Sequence, residues 1–222
     1  MMHLSEASDA MQGQLMGADA PFESVEIDTR RAKKSGLFFA IHGEQKNGHE
    51  FINVAHQAGA LASVVDEPQA DELLQHIMVD DTTIALGMLA AHWRRKFNLP
   101  VVGITGSNGK TTVSNIVKNI FDVALPGIAP QGSFNNHWGV PLTLLKLRAG
   151  DQSAVIEMGM NHAGELSYLG KIVQPTIGLI TNAAAAHLEG LKTVEGVANA
   201  KGELLDFIAP NGTAILNRDD DF

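Results

Sequence analysis

The segment Val101-Val-Gly-Ile-Thr-Gly-Ser-Asn-Gly-Lys-Thr-Thr112 runs from an apolar stretch through a glycine-rich turn into a helix start. Its first part, 101–104, predicts a buried strand, and 106–109 predicts a tight loop. The helix that follows has apolar residues spaced three, one and three apart. These apolar residues are Val113, Ile116, Val117 and Ile120. Strand, glycine loop and helix in this order are typical of a phosphate-binding loop.

The loop contains the groups that such a site needs. Glycines let backbone N–H groups approach an anion, and a helix N-terminus adds unpaired donors and about half a positive charge. Lys110 can reach terminal phosphates, and the Thr111 hydroxyl can ligate Mg²⁺. The standard motif has a glycine where this chain has Ile104, so the loop is a variant. The alternative is a glycine-rich turn with a surface lysine.

Length and composition limit the classes of protein. The chain has 222 residues, which suit one large domain or two small ones, and a net charge of −9. That charge argues against a nucleic-acid-binding or membrane-surface protein. There are no cysteines, which fits the cytosol, and no signal peptide or bilayer-spanning stretch is recognisable. We therefore expect a cytoplasmic protein without membrane insertion and without a nucleic-acid partner.

The hydrophobic pattern predicts two units, residues 1–98 and residues 99–222. For the first unit, strands are expected at 25–27, 37–41, 61–65 and 77–79, and helices at 50–58 and 82–97, with a short or frayed helix around 10–16. For the second unit, strands at 101–105, 154–157, 177–181 and 214–216 alternate with helices at 110–121, 140–147, 165–173 and 194–208, and 122–134 forms a long loop. This alternation predicts βαβ units and a parallel sheet.

The predicted fold class is therefore α/β, with a small N-terminal α/β domain followed by a P-loop parallel-sheet central domain. In such sheets ligands bind beyond the carboxyl ends of the strands. Glu157 and His187 follow two of these strands, so we expect them to lie with Lys110 around one triphosphate pocket. Glu157 is either a Mg²⁺ ligand or a solvated strand end. His187 is a site residue or a surface residue, and Lys201 is a site residue or a solvated helix lysine.

Two further loops combine polar groups. Residues 133–141, Ser-Phe-Asn-Asn-His-Trp-Gly-Val-Pro, could recognise a polar ligand or form a capped turn. In Asp28-Thr-Arg30, the guanidinium could pair with a diphosphate or only with Asp28.

Several of these segments together resemble the Mur ligase family. The resemblance is colinear and covers nearly the whole chain. Its motifs are Thr-Gly-Ser-Asn-Gly-Lys-Thr (105–111), Phe-Asn-Asn-His-Trp-Gly-Val-Pro-Leu-Thr-Leu-Leu (134–145), Ile-Glu-Met-Gly-Met-Asn-His-Ala-Gly-Glu (156–165), Thr-Asn-Ala-Ala-Ala-Ala-His-Leu-Glu-Gly (181–190) and Ala-Lys-Gly-Glu (200–203), with Asp-Thr-Arg (28–30) and Leu-Phe-Phe-Ala-Ile-His-Gly-Glu (37–44) in the first unit.

The resemblance implies roles for individual residues. Lys110, Lys201 and His187 would be catalytic, and Lys201 matches a lysine that is carbamylated in these enzymes. The ATP phosphates would be held by Gly106, Ser107, Asn108, Gly109, Lys110, Thr111 and Thr112. Mg²⁺ ions would be held by Thr111, Glu157, His187 and Lys201. The UDP-linked substrate would be held by Asp28, Thr29, Arg30, Asn135 and Asn136.

The resemblance also implies an activity. The motifs favour the branch of the family that joins D-alanyl-D-alanine to UDP-N-acetylmuramoyl-tripeptide through an acyl phosphate, using ATP and Mg²⁺, in peptidoglycan precursor synthesis. We expect a monomer. Family enzymes are longer and carry a third domain, so we expect an incomplete central domain, an exposed sheet edge and little turnover.

Two other activities stay open at this point. One is another amino-acid ligase of the same superfamily, and the other is a non-catalytic nucleotide-binding module. A GTPase is disfavoured, because 177–181 is not followed by an Asn-Lys-x-Asp guanine-binding motif.

Overall fold

The computed structural model describes residues 1–68, 74–130, 132, 134–186 and 188–222. These residues form two compact units, Met1–His92 and Trp93–Phe222. The division falls inside a helix, a few residues before the predicted boundary at 98/99. The assignment of separate functions to 1–98 and 99–222 stays a prediction.

The first unit contains a five-stranded sheet and a separate antiparallel pair of short strands. Its strands are β1 (Met2–His3), β2 (Gln14–Met16), β3 (Pro21–Phe22), β4 (Ser24–Glu26), β5 (Gly36–Phe39), β6 (Ala62–Val65) and β7 (His76–Met78). Its helices are α1 (Leu4–Ala10), α2 (Ile52–Gln57) and the start of α3 (Thr82–Arg94), with 3₁₀ turns at Thr29–Arg31 and Gly48–Phe51.

The large sheet of this unit has the order β2-β7-β6-β5-β4. Strands β4, β5, β6 and β7 run parallel to one another, and the edge strand β2 pairs antiparallel with β7. Phe38 and Val65 from the sheet pack with Ile52 and Ala55 of α2 in one core cluster. The carboxyl ends of β5 and β6 are therefore fixed side by side.

The helix expected around 10–16 is wrong. The helix is α1, which begins and ends six residues earlier, because Leu4, Ala7 and Met11 supply the buried positions at helical spacing. The chain then extends as β2 along β7, where Leu15 pairs with Ile77. Tertiary pairing overrides the weak local pattern of this segment.

The second unit is built on one four-stranded parallel sheet in the order β11-β10-β8-β9. Its strands are β8 (Val101–Thr105), β9 (Ala154–Glu157), β10 (Ile177–Ile180) and β11 (Thr213–Leu216). Its helices are α4 (Lys110–Ala124), α5 (Gly139–Leu144), α6 (Glu165–Val173), α7 (Leu188–Leu191) and α8 (Val194–Gly202), followed by a 3₁₀ turn at Glu203–Phe207. In the described part of the chain, no helix combines the length and apolarity needed to cross a membrane.

The predicted α/β fold with a parallel sheet in the second unit is confirmed. Ile104 is paired with Glu157, and Thr105 with Ile180, so three strands end at the same edge of the sheet. The predicted helix 194–208 is wrong beyond Gly202, where the chain tightens into the 3₁₀ turn. The long loop expected from 122 begins later, because α4 continues to Ala124.

Helix α4 buries only part of the predicted apolar stripe. Val113 and Val117 pack with Phe121 against the core formed by β8 and β9. Ile116 and Ile120, the other two apolar residues of this helix, are 53% and 62% exposed. The row of residues that packs against the sheet therefore has the spacing i, i+4, i+8 (Val113, Val117 and Phe121), and the second apolar row of the helix faces solvent.

Candidate phosphate-binding site

The loop after β8 has the backbone conformation of a phosphate cradle. Gly106 and Gly109 have φ values of +149° and +80°, which favour glycine. A Cβ at Gly106 would lie 1.8 Å from the Thr181 Oγ1 atom, so no larger residue fits there. The first helical bond of α4 runs from the Val113 N–H to the Gly109 carbonyl, and the amides of the turn before it point out of the helix start.

The segment after β10 fixes the shape of this loop. Asn182 accepts from the Asn108 N–H through its Oδ1 atom at 3.0 Å and from the Ser107 N–H through its carbonyl at 2.9 Å. The Thr181 hydroxyl donates to the Asn108 carbonyl at 2.6 Å, and the Ser107 hydroxyl donates to the Ala184 carbonyl at 3.0 Å. The amides of Ser107 and Asn108 are thus engaged, and the donors nearest to a ligand come from Gly109 onward.

Two lysines bring positive charge to the loop. The Lys110 ammonium donates to the Gly106 carbonyl at 2.8 Å. Lys201 lies in the last turn of α8, 2% exposed. Burial, together with the charge of Lys110, lowers the pKa of Lys201 to about 8. Among the described residues, none provides a carboxylate within ion-pair distance of Lys201. The alternative of a solvated helix lysine is therefore excluded.

Glu157, at the carboxyl end of β9, is 1% exposed and both of its oxygens are engaged. Oε2 accepts from the Thr111 hydroxyl at 2.9 Å, and Oε1 accepts from the Asn135 side-chain amide at 2.7 Å. The Asn135 carbonyl in turn accepts from the Gly159 N–H at 2.8 Å. The alternative of a solvated strand end is excluded, since this carboxylate is buried and aimed at the phosphate loop.

The pair of Thr111 and Glu157 suits a small, hard cation. Mg²⁺ prefers oxygen ligands at 2.0–2.1 Å in octahedral geometry, in which neighbouring ligands lie about 2.9 Å apart. The Thr111 Oγ1 and Glu157 Oε2 atoms are 2.9 Å apart. The oxygen types and their spacing therefore fit a Mg²⁺ ion beside the loop.

The other predicted site residues are placed as follows. Asn136 is exposed, and its Oδ1 atom accepts from the Trp138 and Gly139 N–H groups just before and at the start of α5. In the first unit, Asp28 caps the turn Thr29–Arg31 and accepts three hydrogen bonds from the Nε and Nη2 atoms of the Arg30 guanidinium. These bonds lower the pKa of Asp28 below its usual value. His187 lies outside the described residues.

Sequence reasoning missed two contributors to the site. The family resemblance predicts that Asn135 contacts the UDP-linked substrate, which stays a prediction, and its side chain also holds Glu157. Thr181 and Asn182 were given no role of their own, yet they fix the loop through Asn108. The available signal for Thr181 and Asn182 was their position. They are two polar residues directly after β10, the strand that pairs with β8. The sequence contains no periodic relation that links 135 to 157.

A parallel sheet with a glycine loop, a buried carboxylate and two lysines at one edge defines this chain as an α/β protein of the phosphate-binding-loop class. Residues 104–222 match the Mur ligase middle domain, and residues 21–94 match the Mur ligase family catalytic domain. The chain belongs to the Mur ligase family, as the sequence motifs predict.

Relatives and solved structures agree with this assignment. UDP-N-acetylmuramoyl-tripeptide–D-alanyl-D-alanine ligase of Haemophilus influenzae is 41% identical over 217 residues, which are 96% of this chain and 48% of that protein. A crystal structure of MurF from Acinetobacter baumannii superposes with a TM-score of 0.91 at 35% identity, covering 98% of this chain and 49% of that one. MurF ligase from Thermotoga maritima, in complex with ADP, gives a TM-score of 0.82 at 28% identity over 89% of this chain and 46% of that one. The chain spans about half the length of the curated relatives it matches.

Proposed function

We propose that this chain supplies the nucleotide site and part of the substrate site of an ATP-dependent ligase. The ligase joins D-alanyl-D-alanine to UDP-N-acetylmuramoyl-tripeptide, a step of peptidoglycan precursor synthesis. The observation that carries the proposal is the hydrogen bond between Thr111 and the buried Glu157, at the sheet edge where Lys110 opens α4. The names of the relatives support the choice of substrates.

In this proposal the loop 106–112 surrounds the ATP phosphates. The first-turn amides of α4 would donate to phosphate oxygens. The Lys110 ammonium would give up its hydrogen bond to the Gly106 carbonyl and bind the γ-phosphate. Thr111 and Glu157 hold a Mg²⁺ ion, with His187 as a further ligand. Bound there, Mg²⁺ would offset the negative charge on the phosphate oxygens. Asn135 keeps the Glu157 carboxylate in position from behind.

Lys201 fits the proposed carbamate chemistry. A carbamate forms when a neutral amine attacks CO₂, making an N–C bond and releasing a proton. With a pKa of about 8, set by burial and by Lys110, about a tenth of Lys201 is neutral at pH 7. The product is an anionic oxygen ligand, which would remove the repulsion with Lys110 and serve a metal ion at the site.

The proposed reaction has two steps. The tripeptide carboxylate attacks the γ-phosphorus of ATP, which gives an acyl phosphate and ADP. The amine of D-alanyl-D-alanine then attacks the acyl carbon, and phosphate leaves with formation of the amide. Lys110 would stabilise the charge that spreads over the transferred phosphoryl group.

The first unit would recognise the UDP end of the substrate through Asp28, Thr29 and Arg30. Arg30 already presents its guanidinium at the surface, oriented by Asp28, and a diphosphate could take the same two-point interaction. Asn135 and Asn136 would contact the UDP-muramoyl-peptide. We also infer a cytoplasmic monomer that does not bind nucleic acid, in keeping with the net charge of −9.

The experiment that tests the nucleotide site compares the wild type with Glu157→Gln by calorimetric titration of ATP, with and without Mg²⁺. We expect the substitution to weaken Mg·ATP binding at least about tenfold and to leave metal-free ATP binding little changed. Glu195→Gln, which removes the same charge from an exposed position on α8, is the control and should bind as the wild type does. Equal Mg·ATP affinity in the wild type and Glu157→Gln would reject the metal site.

The ligase assignment needs a second measurement. We expect little turnover, and ADP release is evidence of ligation, as opposed to nucleotide binding alone, only where it requires both the UDP-muramoyl-tripeptide and D-alanyl-D-alanine. Replacing D-alanyl-D-alanine by single amino acids distinguishes this ligase from its amino-acid-adding relatives.

A further inference from the structure

A second group of metal-ligating side chains lies in the first unit, away from the phosphate loop in sequence. His42, His49 and Asp66 each offer one ligand atom, and these atoms lie within 4.8 Å of one another. The Asp66 Oδ1 atom is 2.9 Å from His42 Nε2 and 3.2 Å from His49 Nε2. None of the three residues has a role in the proposed ligase chemistry.

The sheet brings these residues together. His42 follows β5 and Asp66 follows β6, and the two strands are parallel neighbours in which Phe39 pairs with Val64. The chain after β5 turns back through a bridge between His42 and Asn47, and this turn places the His49 ring 4.9 Å from the His42 ring. Three segments of the chain therefore converge at the carboxyl end of the sheet.

Partners outside the cluster orient the ligand atoms. Asn47 Oδ1 lies 2.7 Å from His49 Nδ1, and if this ring nitrogen carries the proton, the Nε2 lone pair faces Asp66. The Thr82 N–H and hydroxyl both donate to Asp66 Oδ2, at 3.0 and 3.2 Å, so that Oδ1 faces the histidines. Such outer hydrogen bonds are the usual supports of histidine and carboxylate metal ligands.

We propose that His42, His49 and Asp66 form a binding site for a divalent transition metal ion, with Zn²⁺ as the ion of choice. In a tetrahedral zinc site with ligands at about 2.0–2.1 Å, neighbouring ligand atoms are about 3.3 Å apart, close to the separations found here. Glu67 Oε1 lies 3.4 Å from His42 Nε2 but does not belong to the group of three, so the fourth ligand would be a water molecule. Imidazole nitrogen selects Zn²⁺ over Mg²⁺, which takes oxygen.

Metal binding would change the local bonding in a defined way. His49 Nε2 now accepts from the Asp66 N–H at 3.2 Å and would exchange this bond for the metal. The His42 side chain is 49% exposed, which gives an ion a route to the site from solvent. The ion would connect the loops after β5 and β6, so it would stabilise the first unit.

The test uses the full chain, stripped of metal with a chelator and titrated with Zn²⁺ by calorimetry, with Co²⁺ as a spectroscopic substitute. We expect one equivalent to bind to the wild type, with visible Co²⁺ absorption typical of four-coordinate nitrogen and oxygen ligation. His42→Ala should weaken this binding at least about tenfold. His42→Gln serves as a second variant that keeps a polar side chain, and circular dichroism verifies the fold of both.

Two controls separate this site from other metal-binding positions. His3→Ala removes a histidine that pairs with Asp19 at 3.1 Å without a second imidazole, and should bind Zn²⁺ as the wild type does. Glu157→Gln removes the proposed Mg²⁺ ligand and should also leave Zn²⁺ binding unchanged. The proposal is overturned if the wild type binds no Zn²⁺, if the His42 variants bind it equally well, or if binding depends on Glu157 instead.

Discussion

Lys201 is a residue whose burial opposes stability. Its pKa is 10.5 in an ordinary environment and about 8 in the folded chain, because the ammonium is desolvated and faces Lys110. Between these pH values the unfolded chain binds more protons, so the free energy of unfolding rises with pH. Below pH 8 Lys201 is charged in both the folded and the unfolded chain, and its burial lowers the free energy of unfolding by the full amount. The pKa shift from 10.5 to about 8 corresponds to about 3 kcal/mol.

Lys201→Met should therefore raise the free energy of unfolding at pH 7 by up to about 3 kcal/mol, since it keeps the side-chain volume and removes the buried charge. The difference in the free energy of unfolding between Lys201→Met and the wild type should become smaller as the pH approaches 10.5. Urea unfolding at pH 7 and pH 10, in CO₂-free buffer, measures both values. Lys171→Met, at an exposed position of α6, is the control. A gain of equal size at both pH values would contradict this account of Lys201.

The two glycines of the phosphate loop give a matched pair of substitutions. Gly106→Ala brings a Cβ to 1.8 Å from Thr181 Oγ1, and we expect it to lower the free energy of unfolding by about 3 kcal/mol or more. Gly109→Ala meets no atom within 4 Å among the described residues and should lower it by only about 1–2 kcal/mol, from backbone strain. Denaturant unfolding ranks the variants. Thr181→Ala should restore part of the loss in Gly106→Ala, and no restoration would indicate that the clash lies elsewhere.

The chemical roles of single residues could be predicted from the sequence more easily than the side chains that they contact. Lys110, Thr111 and Glu157 were selected because each stands at a strand end or a helix start, which the local pattern reveals. The bond from Asn135 to Glu157 joins two segments across the sheet edge, and only the folded backbone brings them together. The same holds for His42 and Asp66, which sequence reasoning passed over because the strands between them had first to be paired.

At the scale of elements, buried strands were predicted better than helix faces. Every residue of β8 is buried, so its apolar run is unambiguous, and its predicted bounds are confirmed. The buried side of α4 depends on how the helix lies on the sheet, which the sequence does not specify. Two rows, 113–117–121 and 116–120, were both apolar, and only the first packs against β8 and β9.

Strand β11 is exposed along its whole length and lies at the end of the sheet in the described part of the chain. Its backbone groups can pair with another chain, as expected of an edge strand. Ile215→Lys, at a position 46% exposed, should reduce concentration-dependent aggregation and change the free energy of unfolding by less than about 0.5 kcal/mol. Ile84→Lys, at a helical position 54% exposed in α3, is the control. Equal light scattering from the two variants would show that β11 does not drive association.

At the scale of the whole molecule, the hydrophobic pattern predicts two units, but the position of the division between them could not be predicted from the sequence. The structure divides the chain between His92 and Trp93, inside α3, where the helical pattern is continuous and no linker composition marks a boundary. Which ligand belongs to which unit is a separate question, and the positions of the candidate residues make it testable.

The residues proposed to bind ATP all belong to the second unit, and Asp28, Thr29 and Arg30 belong to the first. A ligand that binds only the folded state suppresses local opening around its site, so hydrogen exchange should slow there. With Mg·ATP we expect protection of 106–112 and of the strand ends at 157 and 181–182, without change at 28–30. With UDP we expect protection at 28–30 and none in the phosphate loop. Exchange detected by mass spectrometry on peptides covers both regions in one experiment, and Glu157→Gln should weaken only the protection by Mg·ATP. Protection of the phosphate loop by UDP, or of 28–30 by Mg·ATP, would reject the assignment of one ligand to each unit.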